Sequence, residues 1–309
     1  MKFIKRLWNI QPAWSWVVNQ LQERFGDGTG MVFDDHVDRT FIEHGETTPY
    51  QEPWVGVIHH APGLPEWFHP ATHRLEYLLS SPAFQDSLEH CKGLVTLCPP
   101  NADFLQAMMP SLPLTMLPHP CPLEGFPKWS WDAFHENRRK QFIQVGWSKR
   151  NHRFIDQAFV PSPLYRKVWL KPLPTDVMTT AMAVLDSLSP YRKRGTYGKP
   201  EVIERVSDGE YDRLLTRNVM GTEFLAAGAS TTVLDCITRN APLIVNRLPA
   251  LEAYLGKDYP LFFETISMVP NLLDPSIVKA GHEYLATMDK SFLDVSYFIK
   301  GLGDFIKSV

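Results

Sequence analysis

Eight short apolar runs, at residues 31–33, 54–58, 93–97, 114–117, 141–145, 167–170, 201–203 and 242–245, alternate with helical patterns along the 309-residue chain. A parallel strand pair needs a long crossover, which a helix supplies, so alternation of this kind implies α/β units built on parallel sheets. One helix is read at 12–25 from Trp16, Val17, Leu21 and Phe25 at helical spacing, with Pro12 where a first turn tolerates it. Others are expected at 175–188, 208–215 and 231–239. Proline clusters such as Cys98-Pro-Pro100 and Pro118-His-Pro120-Cys-Pro122 follow apolar runs, where loops leave strands.

A polar, aromatic stretch at 124–137 separates the first four runs from the last four and places a boundary near residue 136. Two domains are expected, 1–136 and 137–309. The last helical pattern, with Phe298, Leu302 and Phe305, either packs back on the first domain or ends the second. The composition supports two cores, since 44% of the residues are hydrophobic. A net charge of -3 gives no strong field for nucleic acid or anionic lipid.

The four cysteines, Cys91, Cys98, Cys121 and Cys236, lack C-x-x-C spacing and are read as reduced thiols, mostly buried. No apolar run is long enough to span a bilayer, and the expected location is cytoplasmic, with membrane contact at most peripheral. Lys2, Lys5 and Arg6 among Phe3, Ile4, Leu7 and Trp8 form either a small interfacial foot or a helix docked on the first domain.

Several chemistries are excluded by pattern. Gly26-Asp-Gly-Thr-Gly30 follows a helix and opens a strand, the reverse of a nucleotide-binding glycine loop, and is read as a turn. P-loop, zincin, esterase-elbow and EF-hand motifs are missing, as is Asp-x-Asp, the usual carrier of a metal-held diphosphate. Adjacent His59 and His60 point to opposite sides of an extended chain, which argues against a shared metal. His60 lies beyond a strand's carboxyl end, where open sheets bind ligands; the alternative is a loop-capping histidine.

Residues 229–245 combine a Ser/Thr-rich helix start, a short amphipathic helix, an Asn stop and a Pro-led strand. Ser230, Thr231 and Thr232 can receive a phosphate through hydroxyls, backbone N–H groups and the positive end of the helix dipole, or can simply cap the helix.

This segment resembles the donor-binding region of group 1 glycosyltransferases of the GT-B fold, through Leu234-Asp235 and the strand Pro242-Leu-Ile-Val245. Residues 246–263 and Tyr211-Asp-Arg-Leu-Leu215 are similar to the same group. Val145-Gly146-Trp147 resembles the opening of its second domain, and Cys91-Lys-Gly-Leu-Val-Thr-Leu97 with Leu117-Pro-His-Pro120 the end of its first. The resemblance implies two Rossmann-like domains facing a cleft, and a nucleotide diphosphate sugar as donor substrate with no cofactor. It implies donor contacts from Gly146, Lys149, Arg150, Ser230, Thr231, Thr232 and Asp235, and a catalytic place for His60. The sugar would pass, with retention and without a metal, to a glycan or lipid-linked acceptor.

Two departures from that pattern stand out. The first carboxylate of the group's Glu-x7-Glu is Ala227 here, and Glu223 lies nearby at the wrong spacing. The first domain is read as opening with a helix, without the usual initial strand and glycine-rich loop. Two other readings stay open: a catalytically inactive binding protein of the same fold, and a nucleotide-sugar isomerase. Trp129 and Trp131 are candidates for stacking on sugar rings or for packing an interface.

Overall fold

The apolar runs become parallel strands of two separate sheets. The computed structural model describes residues 1–3, 12–43, 47–68, 70–161, 163–171, 176–190 and 197–309. It divides into two compact units, one of Met1–Leu64, Ala71–Leu123 and Asp289–Val309, the other of Pro65–Pro70 and Glu124–Met288.

The first unit holds five parallel strands in the order β1-β2-β3-β4-β5: Lys2–Phe3, Val32–Asp34, Trp54–Ile58, Cys91–Thr96 and Leu114–Met116. The chain therefore opens with a strand, β1, not with a helix, which corrects the expectation for this domain. Residues 4–8 of the basic N-terminal segment lie outside the described residues. The helix Pro12–Phe25 has the bounds read from its periodicity. Trp54 is fully buried, and its indole N–H donates to Ser87 O at 2.7 Å.

The C-terminal helix Val295–Ser308 belongs to this unit. Its Phe305 ring occupies the space over Gly93 of β4, where any Cβ would collide with it. Phe298 meets Trp14 edge to face, with ring centroids 6.1 Å apart. Glycine at 93 is thus a packing requirement.

The second unit holds six parallel strands in the order β11-β10-β9-β6-β7-β8. They are β6 Lys140–Val145, β7 Tyr165–Leu170, β8 Glu201–Ile203, β9 Val219–Thr222, β10 Leu243–Asn246 and β11 Phe262–Phe263. Strands β9 and β11 were not among the apolar runs. Gly221 interrupts β9 so that the Phe142 ring of β6 can lie against its backbone. The core includes Phe154 stacked on Phe263 at 5.5 Å.

Residues 124–136 group with this second unit. Trp129 explains why: its backbone N–H donates to Arg239 O at 2.7 Å and its indole N–H to Asn218 O at 2.9 Å. It is 3% exposed and packs on Phe134 and His282, so Trp129 serves the core and not a sugar ring.

The four cysteines are free thiols, with Cys98, Cys121 and Cys236 buried and Cys91 partly so. Among the described residues no helix is long and apolar enough to cross a membrane.

Candidate functional site

The strand order of the second unit reverses at one place. From β6 the chain builds outward through β7 and β8, then returns to lay β9 on the other side of β6, in register Phe142 to Val219 and Ile143 to Met220. Two successive connections leave the sheet in opposite directions there, opening a crevice beyond the carboxyl ends of β6 and β9. Three segments converge on it: residues 146–150 after β6, residues 223–225 after β9, and the start of the helix Thr231–Arg239.

The first segment turns sharply. Gly146 has φ 72° and Lys149 φ 59°, so two left-handed residues within four bend the loop back on itself. Gly146 N–H donates to Leu170 O, and Lys149 O accepts from Leu225 N–H, both at 2.9 Å. Arg150 then pairs with Phe224 as an antiparallel bridge. The loop after β6 is in this way sewn to the loop after β9.

Asn246, at the end of β10, fixes the second segment. Its side-chain Oδ1 accepts from Phe224 N–H at 2.8 Å and its Nδ2 donates to Phe224 O at 2.9 Å. Glu223 is held as well, since Asn151 N–H donates to its carbonyl and Asn151 Nδ2 to its carboxylate at 2.6 Å. That carboxylate is a tied group, not a solvated one. Ala227 is buried at 8% exposure.

Arg150 is the centre of the arrangement. Its guanidinium lies 4.7 Å over the Phe224 ring and against Gly146. Nη1 donates to Ser148 O at 2.8 Å, Nη2 to Thr232 Oγ1 at 3.0 Å and more weakly to Ser230 Oγ at 3.5 Å. Nε is sealed from solvent and has no hydrogen-bond partner among the described residues. Among the described residues Arg150 forms no ion pair with a carboxylate. Burial pushes its pKa down to about 10, although the residue as a whole keeps some exposure.

The helix start is equally unsatisfied. Ser230 stands at the N-cap without a side-chain cap hydrogen bond. Its hydroxyl faces Arg150 instead, so plain capping does not account for the Ser/Thr run. First-turn N–H groups and the positive end of the dipole are left directed at the crevice. Thr222 Oγ1, at the end of β9, is buried there without a hydrogen-bond partner among the described residues. A cation without a counter-ion beside an uncapped helix start is a place for an anion.

Asp235 lies one turn beyond Thr232 on the same helix face. Its Oδ2 accepts from Tyr211 Oη at 2.9 Å, and Oδ1 from Arg239 Nη1 at 3.1 Å. Burial raises its pKa, and the Arg239 charge opposes that shift. Arg239 itself is committed to Asp212, at 2.7 Å from Nη2.

The structure thus gathers Gly146, Lys149, Arg150, Ser230, Thr231, Thr232 and Asp235 in one unit, around one crevice. His60 lies in the other unit, after β3, 3% exposed. Its ring lies 6.3 Å from that of His36 and 5.8 Å from that of His73, and its carbonyl accepts from Asn101 Nδ2 at 2.7 Å. Phe224, Asn246 and Lys171 were not singled out from the sequence. Lys171 sits 5.2 Å over the Trp169 ring, whose N–H donates to Gly146 O at 3.0 Å. The available signal was position: Lys171 directly follows β7, Asn246 ends β10, and Phe224 lies two residues beyond β9, all on the ligand side. Among the described residues no group of three or more His, Cys, Asp or Glu side chains is placed to hold a metal ion.

No protein-family model and no curated protein matches the chain. Solved structures do. An α,α-trehalose-phosphate synthase (UDP-forming) from Burkholderia vietnamiensis aligns over 96% of this chain and 77% of its own, at 12% identity and TM-score 0.56. Sucrose-phosphate synthase from Thermosynechococcus elongatus aligns over 95% and 77%, at 10% identity and TM-score 0.60. The lipopolysaccharide outer core galactosyltransferase WaaB aligns over 94% and 79%, at 11% identity and TM-score 0.54. At such identities the likeness is one of architecture, and in architecture these neighbours agree: two parallel-sheet α/β units, Rossmann-like in kind, make this a chain of the GT-B fold.

Proposed function

We propose that the chain is a glycosyltransferase that moves a sugar from a nucleotide diphosphate sugar to an acceptor hydroxyl. The observation that carries this reading is Arg150, a largely buried guanidinium with no carboxylate partner among the described residues, set against the uncapped start of the helix Thr231–Arg239. Burying a charge without a partner costs several kcal/mol, so the arrangement suits a protein whose ligand supplies the anion. The fold neighbours support the reaction class, since their names include synthases of sugar phosphates and a galactosyltransferase.

In this reading the diphosphate lies across the crevice. Departure of the leaving group builds negative charge on its terminal phosphate, and preorganised donors aimed at that charge lower the barrier. Arg150, the N–H groups at 230–232, and Lys149 are those donors, with Gly146 allowing close approach of backbone to ligand. Asp235 receives the nucleoside end. His60 is proposed for the acceptor side, and retention and metal independence belong to the same proposal. The acceptor is a glycan or lipid-linked hydroxyl, and the site of action is cytoplasmic.

The test is calorimetric titration of the full chain with UDP, GDP, ADP and inorganic pyrophosphate, with and without EDTA, followed by turnover assays with the sugar donors of whichever base binds. Selective binding and sugar transfer support the proposal; no binding at millimolar concentration sinks it. Ala227 favours one second reading, a binding protein on the same scaffold, because no carboxylate stands there to grip the sugar hydroxyls. Tight binding without turnover would select that reading.

A further inference from the structure

We infer that Tyr211 is a positioning residue, whose hydroxyl together with Arg239 aims the Asp235 carboxylate at the ribose hydroxyls of a ribonucleotide donor. The contact of Asp235 with the ribose is what the family resemblance implies; the inference rests on that donor-site reading of the helix Thr231–Arg239 and adds the residue that holds the carboxylate in place.

A carboxylate turns easily about its last torsion, so a single hydrogen bond leaves its direction soft. Asp235 is held by two, one on each oxygen. Arg239 Nη1, one turn further along the same helix, donates to Oδ1, and Tyr211 Oη, from the helix Asp208–Arg217, donates to Oδ2. Both anchors are themselves fixed. Arg239 is gripped by Asp212 through Nε at 2.8 Å and lies 4.2 Å over the Phe126 ring. Tyr211 rides on the helix Asp208–Arg217, whose start is locked by a reciprocal bond pair between Ser207 and Glu210.

The carboxylate keeps capacity for a ligand. An ionised carboxylate has about four acceptor positions, of which these bonds use two. A third of the Asp235 side chain, 33%, is exposed. Arg239, by contrast, is 5% exposed at its side chain and fully committed, so it has nothing to offer a phosphate. Tyr211 also lies within electrostatic reach of Arg150.

The experiment is calorimetric titration of the full chain and of its Tyr211→Phe and Asp235→Asn variants. The probes are UDP, GDP and ADP, the 2′,3′-dideoxy form of each, and inorganic pyrophosphate. At least one ribonucleotide is expected to bind wild type about tenfold more tightly than its dideoxy form, the worth of a hydrogen bond to a charged group. Tyr211→Phe is expected to bring that ratio several-fold closer to one while pyrophosphate affinity stays unchanged. Asp235→Asn loses the same preference, which keeps the test open should Tyr211→Phe fail to fold. An unchanged ratio in Tyr211→Phe, or equal losses for every probe including pyrophosphate, overturns the inference. Wild type that binds pyrophosphate and nucleotides with no ribose preference overturns it too, and leaves the donor site standing. Wild type that binds none of the probes removes both.

Discussion

Arg150 Nη2 donates to Thr232 Oγ1 across 3.0 Å, joining the loop after β6 to the first turn of the helix after β9. The bond does two things at once. It holds the guanidinium at the helix start, and it brings the same Nη2 within 3.5 Å of the Ser230 hydroxyl, which stands at the N-cap without capping the helix. A buried cation and a positive helix end repel each other, and an anion bound between them would relieve that repulsion.

Replacing Arg150 separates its binding role from its structural one. Arg150→Met is expected to lower the affinity for inorganic pyrophosphate by roughly tenfold to a hundredfold, the value of one or two charge-assisted hydrogen bonds. The melting temperature of the ligand-free variant is expected to hold or rise, because a cation without a counter-ion has been removed. Calorimetry and thermal unfolding read the two effects. Unchanged pyrophosphate affinity would remove Arg150 from the site.

Gly221→Ala probes the strand junction beneath the crevice. A methyl group at 221 overlaps the Phe142 ring, so the substitution overpacks the contact between β6 and β9 and costs about 1–3 kcal/mol. Phe142→Leu in the same chain is expected to recover part of the loss. Denaturant unfolding of the two single variants and the double variant measures the coupling, and simple additivity would contradict this packing account.

How much of this was legible beforehand depends on the element. The helix Thr231–Arg239 was read with its observed bounds, because an amphipathic run opened by Ser230 and stopped by Asn240 is local information, and Asn240 does take the left-handed conformation, at φ 54°. Strand β9 was not, since four residues containing a glycine carry no period, and only pairing with β6 and β10 makes them a strand. β1 was hidden for the same reason, being two residues long. Within the site, the loop Gly146 to Arg150 and the Ser/Thr run could be named from motif and spacing. The lack of a carboxylate paired with Arg150 among the described residues, and the grip of Asn246 on Phe224, depend on residues distant in sequence.

Acid titration offers a prediction for the first unit. His119 is buried at 4% exposure, and burial pushes its pKa down to about 4 from the ordinary value near 6.5. Between these values the unfolded chain binds a proton that the folded chain refuses, so stability falls as pH drops from about 6.5 to about 4. The loss from this one group approaches about 3 kcal/mol at the acid end. His119→Gln is expected to flatten that part of the melting-temperature profile relative to wild type. Parallel profiles for the two proteins would refute it.

Trp129→Ala distinguishes a packing tryptophan from a sugar-stacking one. Removing the ring is expected to cost about 3–5 kcal/mol, as for other buried aromatic side chains, and it leaves Asn218 O without its indole donor. Thermal unfolding reads this directly. A variant with wild-type stability and weakened carbohydrate binding would reverse the assignment.

Asn246 has a kinetic consequence. By bonding both the N–H and the carbonyl of Phe224, it holds the ring that carries Arg150 in place before any ligand is present. An anion that reaches this crevice therefore meets its partners already arranged, and little ordering entropy remains to be lost. Association would then be governed by encounter in the field of one shielded cation, slowing as ionic strength rises, with no concentration-independent phase from a rearranging loop.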